Sequence, residues 1–443
     1  MSENKKFAVY DVLRTKKARS IIAACCFGSM LSIPAYAEIV LIGDQALPPG
    51  QTMVAVDPNA PTFTGMDLAP YNPNVTNMLS VFGRVYNAFD VIKGTHGTNI
   101  GYHDYSSSIG VRGARAINPD FTIVYQLDNQ VSNYDGTGTF ASRESFFGIA
   151  SPKYGALRAG RFQNSYDRHS VFGDSATDEQ GMGITQVLWA NCGSAPNISG
   201  YTASNACFDN KQADSIRYDT PAMGPFFGSI QISSSSQGTS STNSMIGPRS
   251  LSTSLTFKQW PFIAAVGWEH HSGMTTINKI TQSASGSLSA TSLGTNNGGD
   301  NALEFVAGYQ ITPQIYVGGI VERLSYAVNS NGDKISRNMA GLAARYYPGK
   351  WRFEINAQRA FSSSTSGNVA DGTCAGNVCA GANTGAKEFT ETVRYDYTPN
   401  FGVYLQLVQL RNDSKGLYSI KNYAVSSYGE SANGYSLGFQ YTF

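Results

Sequence analysis

The side chains that could do chemistry fall into two sets, one in a long irregular segment and one on regular strands. Between Arg161 and Gln212 the chain loses any period, and this stretch holds Asp167, Asp174, Asp178 and Glu179 together with Cys192 and Cys207. Arg84, Arg112 and Arg217 instead lie in stretches of alternating character, each on the face opposite the regular apolar positions. Arg161 follows Gly160 at the mouth of the irregular segment. Guanidinium groups on a rigid wall, facing carboxylates across a narrow gap, set up a field that orders water and discriminates between charged solutes. For each arginine the alternative is a wall charge remote from any narrow zone that neutralises a neighbour.

Bond-making chemistry fits poorly. The five histidines (His96, His103, His169, His270 and His271) fall in or beside expected loops, whereas a hydrolase needs a Ser–His pair held within hydrogen-bond reach on a rigid frame. His270 and His271 invite a metal reading, but neighbours on a strand point to opposite faces and do not readily share one ion. No catalytic residue, no metal site and no cofactor is expected.

The elements that position these charges follow from composition and period. Only 14% of the residues are charged and 12% are aromatic, with 46 glycines; an ordinary soluble domain carries roughly 25% charge. A helical membrane protein needs runs of about 20 apolar residues, and none occurs after residue 37. What remains is a set of short strands with one greasy and one polar face, the footprint of a transmembrane β-barrel. An irregular segment as long as 161–212 argues against a compact soluble domain. A wide barrel has a lumen into which it can fold; a surface loop on another β protein is the competing reading.

The first 37 residues read as a targeting segment. Lys5, Lys6, Arg14, Lys16, Lys17 and Arg19 form its basic region, Ile21 to Leu31 its apolar core, and Ala35-Tyr36-Ala37 a small-x-small cleavage site. Its apolar core is too short for a membrane anchor. Removing it leaves 26 basic and 29 acidic residues, a net charge of −3, without the clustered basic surface that nucleic acid requires. Four cysteines remain. In an oxidising compartment Cys192 with Cys207 and Cys374 with Cys379 are expected as two local disulfides; zinc is the alternative, weakened by the lack of nearby histidine and of CxxC spacing.

Residues 38–77 are rich in proline and lack a sustained period, which suggests an extended periplasmic segment. From Met78 the period becomes two. Val81, Val85 and Phe89 alternate with Arg84, Tyr86 and Asp90. Phe121, Ile123, Tyr125 and Leu127 share one face, and so do Tyr435, Leu437, Phe439, Tyr441 and Phe443. Seven short turns near Pro119, Pro152, Pro221, Pro261, Pro313, Pro348 and Pro399 alternate with eight polar loops, near 93–104, 133–141, 163–212, 238–248, 273–300, 327–335, 363–386 and 412–432. Fifteen connections imply sixteen strands, and lipid allows no open sheet edge. The expected fold is therefore all-β, a 16-stranded antiparallel transmembrane β-barrel over 78–443 with its third extracellular loop folded into the lumen. Trp260, Tyr346, Tyr347, Trp351 and Tyr397, beside the short turns, would form an aromatic girdle. A soluble β-sandwich does not explain the alternation of turn lengths.

Several stretches resemble the general trimeric porins of Gram-negative outer membranes, especially the β-proteobacterial branch. They are Val81-Phe82-Gly83-Arg84-Val85-Tyr86, Ser108-Ile109-Gly110-Val111-Arg112-Gly113, Ser145 to Ile149 with Gly155 to Arg161, Asp214 to Pro221, and Gly434 to Phe443. The resemblance implies a homotrimer, a long loop narrowing each pore, and recognition of the terminal Phe443 by the barrel-assembly machinery. It also implies a setting of outer-membrane lipid and lipopolysaccharide. Passive diffusion of small hydrophilic solutes and ions is the function expected. A substrate-specific channel of similar build and a non-conducting adhesin or phage receptor are the rivals. The family's acidic loop motif is approximated only by Val171-Phe172-Gly173-Asp174, and the extension before the first strand departs from the pattern.

If the loop acids line the opening, replacing Asp174, Asp178 and Glu179 together by Asn, Asn and Gln shifts the reversal potential toward anions in planar bilayers. An unchanged potential removes these acids from the selectivity site.

Overall fold

The computed structural model describes residues 77–132, 136, 138–167, 172, 181–182, 196–202, 208, 211–234, 250–295, 298–376 and 378–443. The targeting segment, nearly all of the proline-rich extension, Asp174, Asp178, Glu179, Cys192 and Cys207 lie outside the described residues.

Sixteen strand positions run up and down in chain order. The first is Asn77–Gly94, and the second comprises Gly97–Asp104 and Ser108–Asn118. Phe121–Val131, Ser145–Ser151, Gly155–Gln163, Lys211–Asp219, Phe226–Ser233 and Ser250–Gln259 follow. Then come Phe262–Ser272, Gly299–Thr312, Ile315–Ala327 and Lys334–Tyr346. Trp351–Ala360, Ala386–Thr398, Phe401–Asn412 and Ala432–Thr442 complete the set. Each pairs antiparallel with its chain neighbours, and Arg84–Gly94 pairs with Ala432–Thr442, so the sheet closes. Gly83 and Phe443 exchange backbone hydrogen bonds of 2.9 and 3.0 Å at this seam.

The two faces separate as the period predicts. Phe89, Phe147, Leu157, Leu342 and Leu405 are exposed on the outside, while Asp90, Arg158, Glu304, Arg337 and Gln406 on the opposite parity are buried inside. In lipid the outer row lies against acyl chains. All seven proline-bearing turns are short. At their end of the wall Trp260, Tyr346, Trp351 and Tyr397 are exposed, and Trp351 meets Tyr395 edge-on at 4.9 Å.

The first connection differs from expectation. The polar stretch near 93–104 is not a loop: the chain turns at Thr95 and His96, and Gly97–Asp104 returns as strand. Gly97 and Gly101 interrupt the alternation, yet the Tyr102 ring packs at a tilt against Phe89, centroids 4.8 Å apart, and the register continues pair by pair to Asp104. Cross-strand packing there overrides weak propensity.

Beyond the barrel a second sheet forms from two long connections, with Leu288–Thr295, Thr276–Gln282, Thr373–Ala375 and Val378–Cys379 in that order. Cys374 and Cys379 are disulfide-bonded, as the sequence suggested. Its cluster of Ile198, Ile280, Cys374, Cys379, Leu417 and Val425 draws on four different connections.

Leu342 is 72% exposed on the outer face. Leu342→Arg should destabilise the barrel by about 2–4 kcal/mol if it faces the hydrocarbon centre. Urea unfolding in phospholipid vesicles measures this, and a midpoint equal to wild type would place Leu342 outside the hydrocarbon.

Candidate functional site

The inner wall carries charge in compensated groups. Asp219 accepts hydrogen bonds from Arg217 Nε at 2.8 Å and Arg158 Nη2 at 2.6 Å. Arg158 and Arg217 are register partners on adjacent strands, so the carboxylate sits between two guanidinium groups that would otherwise repel. Arg158 also lies over the rings of Phe146 and Phe162, at 4.8 and 5.2 Å. Asp396 repeats the arrangement, receiving Arg352 at 2.5 Å and Arg394 at 2.7 Å. Both groups lie near the short-turn end of the wall.

The other expected arginines are placed differently. Arg84 donates to the Ser106 carbonyl at 2.8 Å. Arg112 lies over the Phe82 ring at 5.0 Å and donates to Ser80 Oγ at 3.3 Å. Both have inward parity. Arg161 pairs in register with Ser145 and shares the parity of the exposed Leu157, with an irregularity between Gly160 and Phe162. Asp167 accepts from Gln163 Nε2 at 2.7 Å, and Lys211 donates to Gln163 Oε1 at 2.9 Å, so Gln163 joins the two charges at the root of the long segment.

Described residues of that segment touch inward-facing groups on several strands. Asn164 Nδ2 reaches Glu269 Oε1 at 2.7 Å, the Tyr166 amide donates to Ser252 Oγ at 2.8 Å, and the Tyr166 hydroxyl donates to Glu322. Phe208 stacks on His271 at 4.5 Å and lies 5.4 Å from Tyr326. Gly181 approaches Gln406 so closely that an added Cβ would lie 2.7 Å from its Oε1, and Met182 is seated on Gly434. Counted along the wall from Gly155–Gln163, Glu322 and Gln406 are each six strands away, in opposite directions.

Parity reading missed much of this. Arg158 is marked by its alternation with Leu157 and Ala159, yet no sequence feature joins it to Asp219. Glu269 and His271 are both fully buried and 2.5 Å apart, Ser252 adds a 2.9 Å bond to Glu269, and the sequence reading placed these histidines only in or beside a loop. His270 points the other way, onto Trp268 at 6.1 Å, so adjacent histidines do face opposite sides. His103, also on a strand, bonds Asp90 at 2.7 Å.

Comparison with known proteins agrees with this architecture. Residues 60–416 match the family profile of Gram-negative porins. The major outer membrane protein P.IA of Neisseria meningitidis serogroup B is 29% identical over 130 residues, a stretch covering 29% of each chain. The chain therefore aligns with less than a third of that relative. Among solved structures, the anion-selective porin from Comamonas acidovorans superposes with a TM-score of 0.62 at 16% identity, over 83% of this chain and all of that one. OmpT of Vibrio cholerae gives 0.57 at 12% identity, over 84% of this chain and all of its own. Salmonella typhi OmpF gives 0.54 at 16%, over 83% of this chain and 98% of its own. At such identities the likeness is one of fold.

Asp219→Asn leaves Arg158 and Arg217 facing each other without their shared carboxylate. A loss of roughly 3–5 kcal/mol is expected for a broken buried pair, together with a reversal potential shifted toward anions. Unfolding midpoints and bilayer recordings on one preparation check both; unchanged values in both would mean that water already screens the pair.

Proposed function

The chain belongs to the Gram-negative porin family and resides in the outer membrane, and from that premise we propose that it is a passive diffusion channel for small hydrophilic solutes and ions. The observation that carries the reading is the reach of the segment after Gln163. Its described residues bond or pack against inward-facing groups on opposite arcs of a closed wall. A segment attached on one side that touches wall residues six strands away in both directions fits a throttle inside the bore.

On this reading the wall arginines, Arg84 and Arg112 in particular, face the acids of the long segment across the opening, with Asp167 at its root and Asp174, Asp178 and Glu179 further along. Transverse fields of this kind order water and disfavour apolar solutes. Arg217 serves through Asp219 as part of the compensated wall. Arg161, on the outward parity, would act at the segment's mouth. We take the functional unit to be a homotrimer, exported by way of residues 1–37 and inserted by the barrel-assembly machinery through the strand ending in Phe443. Outer-membrane lipid and lipopolysaccharide would surround it.

Reconstitution into planar bilayers tests this directly. Large ohmic conductance steps that close in groups of three are expected. Silence at protein levels that yield folded trimer would sink the reading and favour a non-conducting surface protein, whereas block by a micromolar solute would favour a substrate-specific channel.

A further inference from the structure

Asn412 and Ala432 are joined by a long connection, 413–431, that turns back onto residues of the wall. The Tyr418 hydroxyl receives Arg337 Nη1, and the Arg337 guanidinium lies over the same ring at 5.1 Å. Arg337 is 1% exposed and belongs to the inward face of Lys334–Tyr346. Two residues on, Ile420 meets Gly434, where an added Cβ would lie 3.3 Å from its Cδ1. Asn422 Nδ2 donates to the Tyr105 hydroxyl at 3.1 Å, and Asn99 Nδ2 donates to the Asn422 carbonyl at 3.0 Å. Tyr105 in turn donates to Asp90 at 2.5 Å, on the inward face of Asn77–Gly94. The connection therefore touches Arg337 directly and reaches Asp90 through Tyr105, two residues on strands five places apart along the wall. At about 4.8 Å per strand that arc is roughly 24 Å, and Arg337 and Asp90 are both buried on the inward face.

Lys421 lies within this connection, its Nζ 4.9 Å from the centre of the Tyr105 ring. A cation over a tyrosine face is held in place while keeping its charge. Burial pushes the Lys421 ammonium down to about 8, and Arg84 and Arg143 push it the same way against the opposite pull of Asp104 and Asp90. Arg84 on the wall and Arg143 in the connection before Ser145–Ser151 thus act on the same region as Lys421. The field in this part of the bore is built jointly by the wall and by the last connection.

We propose that connection 413–431 is a second throttle inside the channel and that Lys421 on it is a specificity-determining cation that favours small anions such as chloride and short carboxylates. The inference rests on the channel reading above. It does not depend on where Asp174, Asp178 and Glu179 lie.

Reversal potentials are measured in planar bilayers under a KCl gradient for the wild-type protein, K421M, K421R and K415M. Lys415 is on the same connection but exposed, 3.5 Å from the exposed Asp371, and serves as the control for removing any lysine there. The chloride-to-potassium permeability ratio is expected to fall by about twofold or more in K421M, to be kept in K421R, and to stay at the wild-type value in K415M. Trimer bands on unheated gels establish that each variant has folded. Should K421M misfold, K421Q replaces it with a polar side chain of similar reach, and the same fall is expected. A conducting, folded K421M or K421Q with the wild-type ratio overturns the assignment, as does an equal fall in K415M. A wild type that opens no channel removes the channel reading itself, and the inference goes with it.

Discussion

Everything in this molecule depends on one pairing, that of the first strand with the last. Lipid offers no hydrogen-bond partner to an unpaired backbone group, so a sheet with two free edges could not stay there. Arg84–Gly94 against Ala432–Thr442 removes both edges at once. The paired backbone of Gly83 and Phe443 finishes the seam, and Gly83 is required there because a Cβ would come within 2.6 Å of the Phe443 ring. Closure also decides which face is inside. Once the apolar positions line the outer circumference, every alternate residue is committed to the bore.

That commitment gathers charge in a confined space, and the wall answers by sharing carboxylates. Asp219 and Asp396 each lie between two arginines, and Glu354 lies 3.4 Å from Arg345. A carboxylate between two guanidinium groups lowers their mutual repulsion and holds both side chains in fixed orientation. These wall charges are then held in fixed pairs, and on the proposed reading the selectivity of the opening passes to charges delivered from elsewhere. Among the described residues, the long segment and the connection bearing Lys421 both touch inward-facing groups of the wall.

The connections at the long-loop end behave as a unit. The Asn197 amide donates to the Val425 carbonyl at 2.7 Å, the Ala290 amide to the Ser199 carbonyl at 2.8 Å, and the Tyr201 hydroxyl to the Gly376 carbonyl at 2.6 Å. Residues 196–202 of the long segment are thereby tied to three other connections, one of them carrying the Cys374–Cys379 disulfide. This stitching limits the freedom of segments that have little periodic structure of their own. It also links the far end of the long segment to the connection that carries Lys421.

The barrel was legible because its constraint is local and repetitive. Alternation with period two, a proline at each short turn and aromatic residues beside those turns can be read from neighbours in the chain, and they led to sixteen strands and to the correct faces of Arg84, Arg112 and Arg217. The same reading failed at 93–104, where Gly97 and Gly101 hide a strand that packing across to Phe89 makes plain. It also failed to join Arg158 to Asp219 and Tyr166 to Glu322, or to bring Lys421 onto Tyr105. These pairs are separated by 61, 156 and more than 300 residues, and nothing in the types of the two partners announces the other. Pairing of adjacent strands joins Arg158 to Asp219, and closure of the wall brings the other two pairs face to face, because a cylinder turns distance along the chain into distance across a bore.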